Sequence, residues 1–501
     1  MDFMNAMQTQ LNQRKTTTWN GAVAYETSGS AMLDFNFAIS SLRNEPDEEI
    51  QREFSRVFYE NKILAMKFLF YVRDCREGIG ERRIFRVCMD WLADEHSKYA
   101  RAVIPLIPEY GRWDDLWPLL SSSVGDEVFS LVDRQLSQDR KDMKNGKPIS
   151  LLGKWMCSEN SSSPATKVIG AKLRNGLGLS PRMYRKTLSA LRKYLDVVEC
   201  RMSSGQWGEI KYETVPSKAN LNYKGAFMRH DAERRSEYLE SLQKGETKIN
   251  ASVLQPHEIV NRYVSNFGWR TEVKPFDAAL EELWKALPDV TVGDTLVVRD
   301  GSGSMLSGYG PAIPLDVATA LAIYMSEHNH GCWKDKFITF SGAPKIVSLA
   351  NCETLREKLD VSYREADCSN TDIARTMRLI LATAVQNGCT QEDMPRSILI
   401  ISDMGFDSIG RRSGKSLFED LAVEYAQKGY KLPRLIFWNV AARPGNGIPL
   451  QENELGVIMV SGFSVQIAKM MMSGKTDPFE ALLETINAPR YDAVEQAVTG
   501  V

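Results

Sequence analysis

The stretch that decides the fold is Thr295–Ser304, TLVVRDGSGS. TLVVR is a short β-rich run, and it ends in Asp300-Gly301-Ser302-Gly303-Ser304. One carboxylate and two hydroxyls alternate along a glycine-rich turn, so that three hard oxygen ligands can point to a common centre. Gly301 and Gly303 permit the tight backbone path. Oxygen ligands of this kind suit Mg²⁺, or Mn²⁺ in its place; Mg²⁺ demands near-octahedral geometry and keeps several waters. Two more oxygens are expected from later loops: Thr371 in SNTDIAR, before a helix, and Asp403 at the end of SILIISD. Both sit where a loop leaves the carboxyl edge of a sheet, the edge at which open α/β folds bind ligands.

Outward from that stretch, apolar strands alternate with helices. The pattern predicts helices at Ile313–Glu327, Thr371–Val385, Leu417–Ala426, Val465–Met472 and Phe479–Ile486. It predicts strands at Lys336–Phe340, Ser397–Ile401, Leu435–Val440 and Val457–Val460. This grammar implies a doubly wound, mostly parallel sheet covered on both faces. Towards the N-terminus the period is helical instead. Ile50, Phe54, Val57 and Phe58 fall on one face, as do Ala65, Phe68, Leu69 and Val72, and Tyr184, Leu188, Leu191 and Leu195. Breakers such as Gly78-Ile79-Gly80, Pro105 and Pro108 separate these runs. The expected fold is therefore multidomain, α plus α/β. Residues 1–275 form a HEAT-like helical-repeat array containing helices only, and residues 290–490 form the α/β domain.

The chain has 501 residues, 43% hydrophobic and 25% charged, enough for two large domains with sizeable cores. No apolar run reaches the length of a membrane span, and Met1–Lys15 has no apolar signal-peptide core. The eight cysteines are scattered without a C-x-x-C, as expected of free thiols in a reducing cytoplasm. The formal charge of −2 conceals a segregation. Residues 134–235 hold 21 Lys and Arg against 9 Asp and Glu, a net of +12, while residues 276–501 have a net of −8. Such asymmetry points to a polyanion partner, or else to a solvated face.

With its strand context and both distal partners, the D-x-S-x-S triplet resembles the metal-ion-dependent adhesion site (MIDAS) of von Willebrand factor A domains. The resemblance implies that Asp300, Ser302, Ser304 and Thr371 hold the ion, with Asp403 direct or through water. It also implies one open coordination position for an acidic partner residue. In the helical part, VRDCREGIGERRIFR at 72–86 and YGRWDDLW at 110–117 are similar to the helical-repeat (TROVE) region of Ro ribonucleoproteins. GKWMCSENSSSP at 153–164, YRKTLSALRKYLDVVE at 184–199 and VPSKAN at 215–220 are closer still to a Ro-like family with the same two-part layout. The resemblance implies RNA, non-coding or structured, as a partner of the helical region.

The cations expected to meet RNA are Lys167, Lys172, Arg174, Arg182, Arg185, Lys186, Arg192 and Lys193, with Trp207, Tyr212 and Tyr223 nearby as candidate stacking rings. Arg73, Arg76, Arg82, Arg83 and Arg86 form a second basic cluster, diluted by acids and read as intrahelical ion pairs. No H-E-x-x-H, Walker loop or G-x-S-x-G elbow occurs, and Ser302 and Ser304 have no neighbouring histidine. A non-catalytic, cytoplasmic RNA-binding protein with no membrane partner is the expectation. The alternative is a protein-interaction scaffold whose metal captures a partner's carboxylate.

Overall fold

A computed structural model describes residues 15–17, 23–25, 27–267, 270–290, 292–306, 313–340, 344–365, 373–403, 417–440, 457–462 and 478–501. It divides the chain into two compact units, each assembled from two separated segments. One comprises residues 1–49 and 254–486, the other residues 50–253 and 487–501. The expected blocks of 1–275 and 290–490 thus exchange their ends.

The first unit is built on a six-stranded sheet. Its strands are β5 (Thr295–Asp300), β6 (Lys336–Phe340), β7 (Ile346–Ser348), β8 (Ser397–Ser402), β9 (Arg434–Asn439) and β10 (Val457–Ser461), in the order β10-β9-β8-β5-β6-β7. All neighbours are parallel except β6 and β7. This antiparallel edge strand escapes sequence reading because it has only three residues, of which Val347 alone is buried. Every residue of β5 and β8 is buried, as befits central strands covered on both faces. Chain order reverses between β5 and β8, and the carboxyl ends of strands at such a switch point are where open α/β sheets bind ligands. The helices at Pro314–Glu327, Ile373–Asn387, Leu417–Gln427 and Pro478–Ile486 match expectation to within two residues at each end. The helix expected at 465–472 lies outside the described residues.

Residues 254–285 join this unit for identifiable reasons. The Pro256–Tyr263 helix packs on the Pro314–Glu327 helix. The Tyr263 hydroxyl donates to Glu281 at 2.6 Å, and Glu281 in turn accepts the backbone N–H groups of Leu355 and Arg356. That caps the Leu355–Arg364 helix. A hairpin follows Tyr263, with β3 (Val264–Phe267) antiparallel to β4 (Arg270–Val273). Its Asn266 donates to the buried Asp316 at 2.8 Å. A second ladder, β1 (Lys15–Thr17) with β2 (Val23–Tyr25), lies near the N-terminus. The helices-only expectation for residues 1–275 is therefore corrected: strands of three or four residues are too short for alternation to show. The Ala31–Leu42 helix also belongs here. Ser40 donates its hydroxyl to the Asn439 carbonyl and its N–H to Ser461 Oγ, both at 3.0 Å, at the carboxyl ends of β9 and β10.

The second unit is helical. The Lys62–Arg73, Arg83–Glu95 and Ser97–Val103 helices pack as successive neighbours, as do Ser217–His230 and Ala232–Gln243. The Gly125–Lys144 helix supports the Pro181–Tyr194 helix. The Asp492–Thr499 helix returns to this unit and packs on Lys62–Arg73.

Candidate metal centre and basic face

Asp300 ends β5, and Asp403 lies one residue beyond β8, the adjacent parallel strand; both are buried. The Asp300 carboxylate is held at both oxygens. Oδ1 accepts the Ser302 N–H at 2.8 Å, and Oδ2 accepts the Ser402 hydroxyl at 2.6 Å. The hydroxyls of Ser302 and Ser304 lie 2.9 Å apart, so the D-x-S-x-S turn does gather its oxygens. Burial, and then the charge of Asp403, push the Asp300 carboxyl up to about 7, against the hydrogen bonds from Ser402 and Ser302 that favour its charged form. A divalent cation beside these carboxylates would favour their charged forms and so oppose that shift, and the donor set of carboxylates and hydroxyls is of the hard type that Mg²⁺ takes. The chemistry of the site therefore fits the ion. Thr371 lies outside the described residues. Among the described residues, no cluster of three or more His, Cys, Asp or Glu forms an alternative metal cage.

On the helical unit the expected cations separate into two groups. Arg182, Arg185, Lys186 and Lys193 are exposed and have no ion-pair partner among the described residues. Their helix buries Tyr184, Thr187, Leu188 and Leu191 on the opposite side. Lys167 is exposed, and so is Lys172, which donates to Ser121 Oγ. Arg174 and Arg192 are half-buried and engaged within the fold. Arg174 pairs with Glu159 at 2.7 Å. Arg192 donates to the Gly153 and Met156 carbonyls at 3.0 and 2.6 Å. The turn that offers those carbonyls approaches so closely that a Cβ on Gly153 would stand 2.7 Å from Leu191 Cβ. Arg192→Ala is expected to destabilise the helical unit by about 1–3 kcal/mol by orphaning those two carbonyls. Thermal melts beside Arg185→Ala, expected to be near neutral, would check this.

The candidate stacking rings are likewise engaged within the fold. Tyr212 is buried against Phe227 and Tyr238 and donates to Asp231. Trp207, half-buried, stacks on His230 with centroids 4.4 Å apart, and Tyr223 donates to Glu199.

In the second basic cluster, Arg73, Arg82 and Arg86 pair with acids outside their own helix. Arg73 is buried and binds Asp115, with Nη2 at 2.6 Å. Arg86 reaches Asp115 with Nε at 2.9 Å and also pairs with Asp114, as does Arg82. The two strings similar to Ro proteins, 72–86 and 110–117, thus lock onto each other. Gly111 is required there, because a Cβ would stand 2.5 Å from Asp115 Oδ2. Asp74, fully buried, completes the clasp. It accepts Arg490 through Nε and, at 3.0 Å, Nη2, and it also accepts the Tyr491 hydroxyl. Buried Lys67 pairs with Glu495 at 2.6 Å. Sequence reading missed Arg490, Tyr491 and Glu495, which lie more than 400 residues from their partners.

Comparison with known proteins places the chain. The uncharacterized protein L728 of Acanthamoeba polyphaga mimivirus is 30% identical over 510 residues, an alignment covering 94% of this chain and 86% of the viral one. The chain belongs to that protein's family. A model described as a domain of unknown function, DUF2828, matches residues 18–148 and 175–289, and a second such model, DUF7788, matches residues 294–497. The crystal structure of the Ro (RSR) protein of Deinococcus radiodurans aligns over 88% of this chain and 98% of its own, at 15% identity and a TM-score of 0.48. The two family models meet between residues 289 and 294, just before β5, whereas the compact units part between 253 and 254 and again between 486 and 487. No helix among the described residues is long and apolar enough to cross a membrane.

Proposed function

We propose that this protein binds RNA without catalysing a reaction, through the face carrying Arg182, Arg185, Lys186 and Lys193, and that its α/β unit holds Mg²⁺ or Mn²⁺. The observation that carries the RNA reading is the set of four exposed cations on one helix that have no ion-pair partner among the described residues. Arg182, Lys186 and Lys193 fall within a narrow stripe around the exposed small residues Ser189 and Ala190, and Arg185 flanks them. At 1.5 Å per residue the stripe is roughly 16 Å long, enough to follow several phosphates. The +12 segment and the Ro-like strings support the same reading. For the metal, support comes from the hard donors at the switch point, where Asp300, Ser302, Ser304 and Asp403 would form the shell with Thr371. This is the von Willebrand A arrangement that the sequence resembles.

Arg185→Glu with Lys193→Glu is expected to weaken hairpin and single-stranded RNAs by a similar factor, because phosphate contacts carry no sequence information. On single strands the log–log salt slope should be about −0.7 per phosphate neutralised, and shallower in the double variant. Gel shifts at low and physiological salt measure both. Equal binding by the double variant would refute the assigned face. A wild-type protein that binds no RNA at low salt would leave the interaction-scaffold reading, in which an acidic partner side chain completes the Mg²⁺ shell.

A further inference from the structure

We infer that Ser402, a residue outside the D-x-S-x-S triplet and its two distal partners, is the positioning residue of the metal centre: its hydroxyl fixes the Asp300 carboxylate in the orientation that receives the ion. This rests on the metal reading above. β5 and β8 are parallel neighbours with Arg299 level with Ile401, so Asp300 and Ser402 end their strands side by side. Ser402 is fully buried, and its hydroxyl donates to Asp300 Oδ2 at 2.6 Å. The other oxygen, Oδ1, takes the Ser302 N–H from the turn itself. An ionised carboxylate offers about four lone-pair sites. The Ser402 hydroxyl and the Ser302 N–H fill one on each oxygen, and the Ser302 hydroxyl is a further donor to the same carboxylate, which leaves room for a cation or its water.

The two donors grip different oxygens of the carboxylate. Loss of the Ser302 N–H is not a side-chain event, so Ser402 is the adjustable half of the pair. Its own place is fixed from the next strand, since the Val440 N–H donates to the Ser402 carbonyl at 3.1 Å. Groups that orient a metal ligand in this way typically change affinity by about 10- to 100-fold when removed. A hydroxyl that served packing alone would change the melting temperature and leave ion affinity intact.

The test is a Mn²⁺ titration of the full chain by calorimetry and by the electron paramagnetic resonance of free Mn²⁺, with a melt of each variant in chelator. Ser402→Thr and Ser402→Val are nearly equal in volume and differ in the hydroxyl. We expect Ser402→Thr to bind within a few-fold of wild type and Ser402→Val to bind about 10- to 100-fold more weakly, at similar metal-free melting temperatures. Ser402→Ala should resemble Val. Equal Mn²⁺ affinity of the Thr and Val variants overturns the positioning role while leaving the metal reading in place. A wild type that binds no Mn²⁺ overturns both, and Asp300→Asn serves as the control for that outcome. Should Ser402→Val fail to fold, the Ser402→Ala and Ser402→Thr pair carries the same comparison.

Discussion

Replacing Arg490 with Ala is expected to cost the helical unit about 3–5 kcal/mol, the usual penalty for removing one partner of a buried ion pair. Asp74 is fully buried, and Arg490 is its charged partner through two guanidinium nitrogens. Without Arg490 the carboxylate keeps the Arg76 N–H and the Tyr491 hydroxyl but no adjacent cation from that segment. The same side chain lies over the Tyr110 ring, 4.9 Å from its centroid, and that packing is lost as well. Arg52→Ala is the matched control. Arg52 is 63% exposed beside Glu53, and surface pairs of that kind contribute about 0–1 kcal/mol. Urea unfolding followed by circular dichroism should move the midpoint strongly for Arg490→Ala and barely for Arg52→Ala. Equal midpoints would show that the clasp contributes nothing.

Asp300→Asn is expected to have opposite effects with and without metal. The Mg²⁺-dependent rise in melting temperature should vanish, because a direct anionic ligand is gone from a site with few charges. The metal-free protein at pH 8 should melt higher than wild type. Burial and Asp403 raise the folded-state pKa of Asp300 to about 7. Ionisation therefore costs stability progressively as pH rises above the ordinary carboxylate range, and the full cost is present above about 7. The amide removes that charge while its oxygen and nitrogen can still meet Ser302 N–H and Ser402 Oγ. Scanning calorimetry in chelator and in Mg²⁺ reads both effects. A lower metal-free melt, or an unchanged Mg²⁺ response, would overturn the electrostatic account.

The α/β unit was largely legible because its central strands are buried on both faces and therefore read as unbroken apolar runs, as in SILIIS of β8. The D-x-S-x-S turn was legible because Asp300, Ser302 and Ser304 lie within five consecutive residues, and the structure gathers their polar atoms. Ser402 was not, because nothing in SILIISD distinguishes a hydroxyl aimed at a neighbouring strand from one filling the core; only the β5–β8 register does so. The basic face shows the same limit. Arg185 and Arg192 are seven residues apart and share one side of their helix, so periodicity treats them alike. They differ because the Leu152–Trp155 turn lies along the later half of the helix and supplies carbonyls to Arg192. The Arg73, Arg82 and Arg86 cluster was read as local because acids interleave with it, yet its partners lie some thirty to forty residues on, at Asp114 and Asp115. Charge spacing reveals pairs within one helix, not pairs between motifs.

The exchange of ends has a consequence for synthesis. Domains fold on the ribosome as their residues emerge, at about 5–20 residues per second. Most of the helical unit, residues 50–253, is made before most of the α/β unit, but the Arg490 and Glu495 that neutralise Asp74 and Lys67 follow about 230 residues later. For roughly ten to fifty seconds at those rates, the helical unit carries two charges that it is shaped to bury and cannot yet pair. The Ala31–Leu42 helix waits in the same way for β9 and β10. A nascent chain that stops after residue 486 therefore leaves the helical half, not the α/β half, exposed to chaperones and proteases.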